Sequence, residues 1–349
     1  MRGKVVINLK VLKSNAELIR KAIPKETKIF WVVKADAYGH GILQTVKTLS
    51  DSDGFCVATV DEGLKVRRCS SSPVLLLGKT DCMGMKKCVE KQISLSIWTE
   101  EDLENLIRVT DDMNKCAGVH IALNTGMNRI GVKDNKLLYK LINKIKSLPK
   151  IKINGVFSHL YNSCNDKTNL GQLSVFEDLT KKFSGKFLMH LSASGKAYDK
   201  SFQYDAVRVG LALYGYGIDG VKPCMSVLGE VVCVNLLNSG ESVGYGGEYV
   251  ATKQTFIATL SLGYADGIGR KRKGGEVVIR DKKYKIVGNV CMDFCFAEVD
   301  EWVKPEDEVV FLGGQNECVI TAEDVAKWEE TISYEILTSV KRIKKIYVR

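Results

Sequence analysis

At 349 residues, 45% hydrophobic and 26% charged, the chain has the composition of a folded water-soluble protein and a length that suits two domains. No apolar run nears the roughly 18 to 20 residues that span a bilayer and no leader pattern opens the chain, which predicts a cytoplasmic protein without membrane contact; eleven cysteines, an odd number with neither CxxC pairs nor zinc-ligand spacing, predict reduced thiols and no metal. The net charge of +10 is spread along the chain, with short clusters only at residues 270–273 and 341–345, which argues for a solvated basic surface that attracts small anions and against nucleic acid as a partner.

Through the first two-thirds, strand-like and helix-like segments alternate. Apolar runs at residues 28–34, 54–60, 73–78, 93–98, 119–124, 153–159, 187–191 and 206–213 read as strands. Amphipathic segments at 15–23, 60–68, 100–109, 136–147 and 171–183 supply helical periodicity between them. Eight such strands predict a (β/α)8 barrel of the TIM type over residues 1–220, with its chemistry at the C-terminal strand ends. Lys34, Asn124, His159 and Ser194 fall at or just past those ends. From about Val221 the pattern changes to short alternating runs with glycine turns, at 227–236, 255–262, 276–279, 285–290, 295–299 and 308–312. One helix-like stretch at 322–329 and a last strand ending at Arg349 complete a mainly β domain over 221–349.

The residue that most needs explaining is Lys34. The run Phe30-Trp31-Val32-Val33 delivers it from a buried strand into a small, glycine-punctuated turn. A lysine there costs burial energy unless the site uses its charge. Snorkelling to solvent is the common outcome for a lone strand-end lysine. A desolvated lysine, by contrast, loses part of its pKa, becomes a nucleophile toward carbonyls and is the usual Schiff-base partner of pyridoxal phosphate. The whole stretch Val33-Lys-Ala-Asp-Ala-Tyr-Gly-His-Gly41 resembles, position by position, the cofactor-attachment motif of the alanine racemase family.

Further segments carry the same resemblance. Asn124-Thr-Gly-Met-Asn-Arg129-Ile-Gly131 looks like the loop whose arginine holds the substrate carboxylate, a task for which a guanidinium fork is suited. Many relatives have a modified lysine seven residues before that arginine, where this chain has Ala122. The resemblance implies that Tyr38 and Ser194 contact the cofactor phosphate, that Gly210 and Leu211 offer it backbone N–H groups, and that His159 links the cofactor arginine to a catalytic tyrosine. Arg208, in Val207-Arg-Val-Gly210-Leu211, would face the pyridine nitrogen. Because a guanidinium cannot accept a proton, that nitrogen would stay unprotonated.

In the β domain, Ser261-Leu-Gly-Tyr264-Ala-Asp-Gly267 matches the family's second catalytic motif. Val290-Cys-Met292-Asp293 resembles the motif whose methionine N–H meets the substrate carboxylate, and Thr331-Ile-Ser-Tyr334-Glu335 the gate that narrows access and touches the phosphate. Ala193, Asn289 and Cys164 stand where relatives commonly have asparagine, arginine and aspartate. The implied function is interconversion of L- and D-alanine by a pyridoxal-phosphate-dependent isomerase, with Lys34 serving one face of Cα and Tyr264 the other. The family's arrangement further implies a homodimer in which the β domain of one chain completes the barrel site of its partner. A racemase for serine or for larger or basic amino acids, and a non-catalytic pyridoxal-phosphate carrier, are the alternatives.

Overall fold

The computed structural model describes residues 3–50 and 52–349. The chain opens with β1 (Lys4–Asn8), whose alternating burial marks a strand with one face toward a core, and the helix Leu9–Ala22. Then follow β2 (Lys28–Val32), β3 (Gly54–Val57), β4 (Val74–Leu76), β5 (Ser94–Ile97), β6 (Ala117–Ala122), β7 (Ile151–Phe157), β8 (Leu188–Ala193) and β9 (Ala206–Val209). These eight pair in parallel in chain order, and β9 returns to β2, closing the expected barrel. Every residue of β3, β4 and β9 is buried, as strands covered on both faces require.

Helices join the strands, and their starts are written in the sequence. Val60–Arg67 begins with a capping box of Thr59 and Glu62, and Glu100–Met113 with one of Thr99 and Asp102. The helices Glu100–Met113 and Asn135–Lys146 are laced across their solvent faces by Glu100–Lys140 at 2.5 Å and Glu104–Lys144 at 3.3 Å. Exposed pairs of this kind contribute at most about 1 kcal/mol each. Two further helices, Ile42–Thr48 and Cys82–Glu90, lie outside the segments that periodicity predicts. The second contains Gly84, which breaks the helical signal; a Cβ there would lie 1.8 Å from Thr80 Oγ1.

The remaining strands are β10 (Met225–Leu237), β11 (Ser242–Val243), β12 (Tyr249–Val250), β13 (Thr255–Leu260), β14 (Glu276–Ile279), β15 (Lys282–Val287), β16 (Cys295–Val299), β17 (Glu308–Gln315), β18 (Cys318–Ile320) and β19 (Lys344–Val348). Apart from the β11–β12 ribbon they form one sheet ordered β18-β17-β14-β15-β16-β13-β10-β1-β19, with β17 also pairing with β10. The helices Ala322–Glu329 and Ser333–Ser339 precede the last strand. β1 therefore belongs with the C-terminal strands, antiparallel to β10 and parallel to β19. Two compact units result: a barrel of Leu12–Ala37 and Ile42–Lys222, and a β unit of the chain up to Val11, Tyr38–Gly41 and Pro223–Arg349. Among the described residues no helix is long and apolar enough to cross a membrane.

Candidate active site

In the barrel unit, Lys34 is not the last strand residue but the first of a left-handed turn. Ala35, Asp36, Ala37 and Tyr38 all have φ between 52° and 56°. A single non-glycine residue in this region is unusual, and four in succession reverse the handedness of the turn. Burial, then the positive charge of Arg129, lowers the Lys34 amine below its usual pKa; Glu62 and Cys56 oppose that shift and Arg208 adds to it. Cys56 on β3 is fully buried, and burial pushes its thiol up to about 12, so it stays protonated.

Arg208 on β9 is only 3% exposed. Its Nη1 donates to His190 Nδ1 at 2.7 Å and to the His190 carbonyl at 2.8 Å. Its Nη2 donates to the carbonyls of Ser158 at 2.5 Å and Leu191 at 2.9 Å, and lies 3.4 Å from His159 Nδ1. Every one of these acceptors is neutral. The guanidinium also lies 5.4 Å from the Phe157 ring centroid. Since arginine only donates, His190 must accept at Nδ1 and carry its proton on Nε2, which then donates to His120 Nδ1 at 2.9 Å. The tautomers of two buried histidines thus follow from one arginine. Phe157 stacks on His190 at 5.1 Å, and Phe30 meets it edge-on at 5.8 Å.

Burial first, and the Arg208 charge second, bring His120 down to about 3 and hold His190 well below its ordinary value; His159 falls to about 3 for the same reasons, with Arg129 and Lys34 adding to the effect. These histidines are neutral when folded but bind protons near pH 6.5 when unfolded. Between about pH 6.5 and 3 the unfolded state holds more protons, so stability falls as pH falls through that window. From His120 alone a loss of roughly 2 kcal/mol is expected between pH 6.5 and 5, and the buried His190 adds to it in the same direction. Urea midpoints at pH 7, 6 and 5 measure it; midpoints that stay level would show that the pair does not bury neutral.

Arg129 sits in an exposed loop between β6 and the helix Asn135–Lys146. The neck of that loop is closed by Asn124 N–H to the Val132 carbonyl at 2.8 Å and Val132 N–H to the Ala122 carbonyl at 2.9 Å. Asn124 Oδ1 accepts from Gly126 and Asn128 N–H. Deeper in, Gln172 donates to Thr125 Oγ1 and to the His159 carbonyl, and Thr125 bonds Ser158 Oγ at 2.8 Å. Gln172 therefore ties the Arg129 loop to the strand end bearing His159. At the last strand ends, Ser194 Oγ accepts from Gly210 N–H at 3.0 Å and Ala212 N–H at 3.2 Å. Having accepted twice, the hydroxyl keeps its proton to donate. Gly210 N–H is thereby committed to Ser194, and Leu211 starts the short turn Leu211–Tyr214.

Within the β unit, Tyr264 N–H bonds the Cys291 carbonyl at 2.9 Å and Ala265 N–H the Met292 carbonyl at 3.0 Å, which brings Tyr264 and Met292 onto one joined pair of turns. Only glycine permits this approach at position 263, where a Cβ would lie 2.3 Å from the Cys291 carbonyl oxygen. Arg342 braces the pair through Asp293 at 2.8 Å and Asp266 at 3.7 Å. Tyr264 and Met292 remain 43% and 53% exposed. The same unit brings Tyr38 and Tyr334 together, with ring centroids 5.8 Å apart. Gly39 sits between Tyr38 and His40 with φ +80°, and a Cβ there would lie 2.2 Å from the Leu337 carbonyl oxygen.

Sequence reasoning runs the first and last barrel strands too far, since Lys34 lies in the turn after β2 and Leu211 in the turn after β9, and it misses His120, His190, Gln172 and Glu62. The two histidines leave a trace, since each interrupts an otherwise apolar strand run. Nothing in the sequence announces that they meet across the barrel.

A parallel barrel with a desolvated lysine and a buried arginine that hydrogen-bonds no carboxylate among the described residues, in one chain with an antiparallel β unit presenting a glycine-flanked tyrosine, defines a pyridoxal-phosphate-dependent isomerase of the barrel class. The N-terminal domain family of alanine racemase matches residues 7–217 and the C-terminal domain family residues 224–347. Alanine racemase 2 of Caldanaerobacter subterraneus subsp. tengcongensis is 33% identical over 99% of this chain and 94% of its own length. The structure of alanine racemase from the D-cycloserine producer Streptomyces lavendulae superposes with a TM-score of 0.95 at 25% identity, over 100% of this chain and 97% of that one. Alanine racemase from Bartonella henselae, solved with covalently bound pyridoxal phosphate, gives 0.90 at 27% identity over 99% of both chains. The chain belongs to the alanine racemase family.

Proposed function

We propose that this protein interconverts L- and D-alanine with pyridoxal 5'-phosphate as cofactor, by moving a proton at Cα between two groups. The observation that carries this reading is Arg208, a buried guanidinium whose hydrogen bonds all go to neutral acceptors. With the Lys34 amine and the Ser194 hydroxyl it makes a rim of donors and positive charge. That set fits a molecule bearing a phosphate, an aldehyde and a ring-nitrogen acceptor. Bound there, pyridoxal phosphate supplies the electron sink that acidifies Cα–H.

The roles of the chain's own residues follow. Lys34 holds the cofactor and, with its pKa lowered by burial, takes or returns a proton on one face. Arg208 donates toward the ring nitrogen and cannot give up its proton, so the ring stays a moderate sink. Tyr38, Ser194, Leu211 and Tyr334 serve the phosphate, Gly210 acts there through the Ser194 hydroxyl that its N–H holds, and His159 joins Arg208 to the catalytic tyrosine. Arg129 and the Met292 N–H grip the substrate carboxylate. Tyr264 serves the opposite face of Cα, and the space it leaves with Tyr334 suits a methyl side chain.

In this reading residues 1–220 hold the cofactor, residues 221–349 complete the site of a second copy, and the working species is a homodimer. The compartment is the cytoplasm, in keeping with cysteines that are all unpaired among the described residues. Nucleic acid and membrane play no part. The test is solvent-deuterium exchange at Cα, followed by proton NMR over a panel of L-amino acids. L-Alanine is expected to exchange and racemise fastest. Faster serine, lysine or arginine would move the substrate, and no exchange of any amino acid would sink the racemase reading.

A further inference from the structure

The turn that aims Lys34 does not choose its own conformation. Left-handed backbone costs a non-glycine residue about 1–2 kcal/mol, and Ala35 to Tyr38 take it four times running. Such a segment persists only where its surroundings over-determine it. Two carboxylates in the barrel unit do so. Asp36 Oδ1 accepts from Ile42 N–H at 2.9 Å, on the far side of the turn. Glu62 Oε1 accepts from Ala35 N–H at 2.6 Å, on the near side.

Glu62 has a second attachment. Its Oε2 accepts from Ala58 N–H at 2.8 Å and Thr59 N–H at 3.2 Å, at the end of β3 and the cap of the helix Val60–Arg67. A capping-box glutamate ordinarily closes its own helix. Here the other oxygen crosses to the exit of the neighbouring strand β2 and fixes the peptide that follows the lysine. We propose that Glu62 is the positioning residue of Lys34, holding the first peptide of the left-handed turn against the end of β3 and so fixing where the amine points. The inference rests on the racemase reading for what Lys34 does, not for where it is held. Among the described residues, the charged and titratable groups acting on that amine are Arg129, Arg208, Cys56 and Glu62, and Glu62 is the one carboxylate of the four.

The geometry makes the substitution to glutamine informative. Both carboxylate oxygens accept from N–H groups, and an amide has only one oxygen. In the Glu62→Gln variant, an amide oxygen kept on the paired donors of Ala58 and Thr59 would turn the amide NH2 toward Ala35 N–H, donor against donor. Glu62→Gln should keep most of the cap and release the turn. Thr59→Ala removes the hydroxyl that accepts from Glu62 N–H and leaves the turn held. The two variants thus separate cap from clamp.

Three measurements on the full-length chain decide it: Tm; kcat and KM for alanine; and, in protein freed of cofactor with hydroxylamine, the pH profile of Lys34 acetylation by acetic anhydride, read by mass spectrometry. Thr59→Ala is expected to lower Tm while leaving kcat and the Lys34 profile unchanged. Glu62→Gln and Glu62→Ala are expected to lower kcat roughly ten- to hundred-fold with little change in KM. In both, the Lys34 profile should move to lower pH, because the one opposing carboxylate charge is gone. Glu62→Gln behaving like Thr59→Ala in all three would overturn the proposal. In a protein whose wild type racemises nothing, a Lys34 acetylation rate at high pH, where the amine is fully deprotonated, that changes in Glu62→Gln and not in Thr59→Ala would support the clamp and overturn only the racemase reading.

Discussion

Replacing Lys34 by alanine is expected to lower kcat for racemisation of either alanine enantiomer by roughly 10⁴-fold or more, because one side chain both attaches the cofactor and carries the proton on one face. The expectation rests on the site's construction. Burial and Arg129 hold the amine's pKa below its ordinary value, which eases its use as a nucleophile and base. No neighbour can substitute: Cys56, with a thiol pushed up to about 12, is no base, and Arg208 stays protonated although burial brings it down to about 10. Lys34→Arg should fail as badly, since a guanidinium neither forms an imine nor gives up its proton. Stability should move the other way, because an amine that loses pKa on burial costs folding energy. A rise in Tm for cofactor-free Lys34→Ala, with activity abolished, would separate a functional lysine from a structural one. Racemisation within tenfold of wild type would remove Lys34 from the chemistry.

Much of the barrel was legible because its signal is local. Each strand is a short apolar run, most of the longer helices are amphipathic stretches, and several begin with a readable cap at Thr59, Thr99 or Asp134. What escaped is what depends on distant pairing. Lys4–Asn8 alternates too briefly to announce a strand, and its partners in β10 and β19 lie more than two hundred residues on. Lys34-Ala-Asp-Ala-Tyr38 has ordinary right-handed residues in it; its handedness is held by Glu62 from outside and by the turn's own Asp36 reaching Ile42 N–H. The site shows the same division. Lys34, Arg208 and Tyr264 stood out by motif, whereas the contact between His120 and His190 spans seventy positions and exists only once β6 and β8 share a barrel. Arg129 gives a third instance. The loop that carries it is organised by Asn124, inside its own motif, and by Gln172 from the helix Asp166–Thr180, and no spacing in the sequence connects Gln172 to that motif.

Mixing two inactive variants should restore activity. Tyr264 and Met292 are joined by backbone hydrogen bonds, braced by Arg342, and both largely open to solvent beside Phe294, which is itself 41% exposed. A backbone-anchored, solvent-exposed pair is what a contribution to another copy's site requires. If each site takes Lys34 from one chain and Tyr264 from the other, a heterodimer of Lys34→Ala and Tyr264→Phe chains has one site that lacks both groups and one that lacks neither. Random reassociation makes half of all dimers heterodimers, each with one intact site in two, so about a quarter of wild-type activity should return. Neither variant alone approaches that figure, because each homodimer carries the same defect twice. Co-expression with two affinity tags isolates the mixed species, which should show about half the wild-type rate per dimer. An isolated heterodimer no more active than its parents would mean that each chain completes its own site. A mixture that sediments as monomers while the wild type turns over would equally dismiss the composite site, and Tyr264 would then have to act within its own chain.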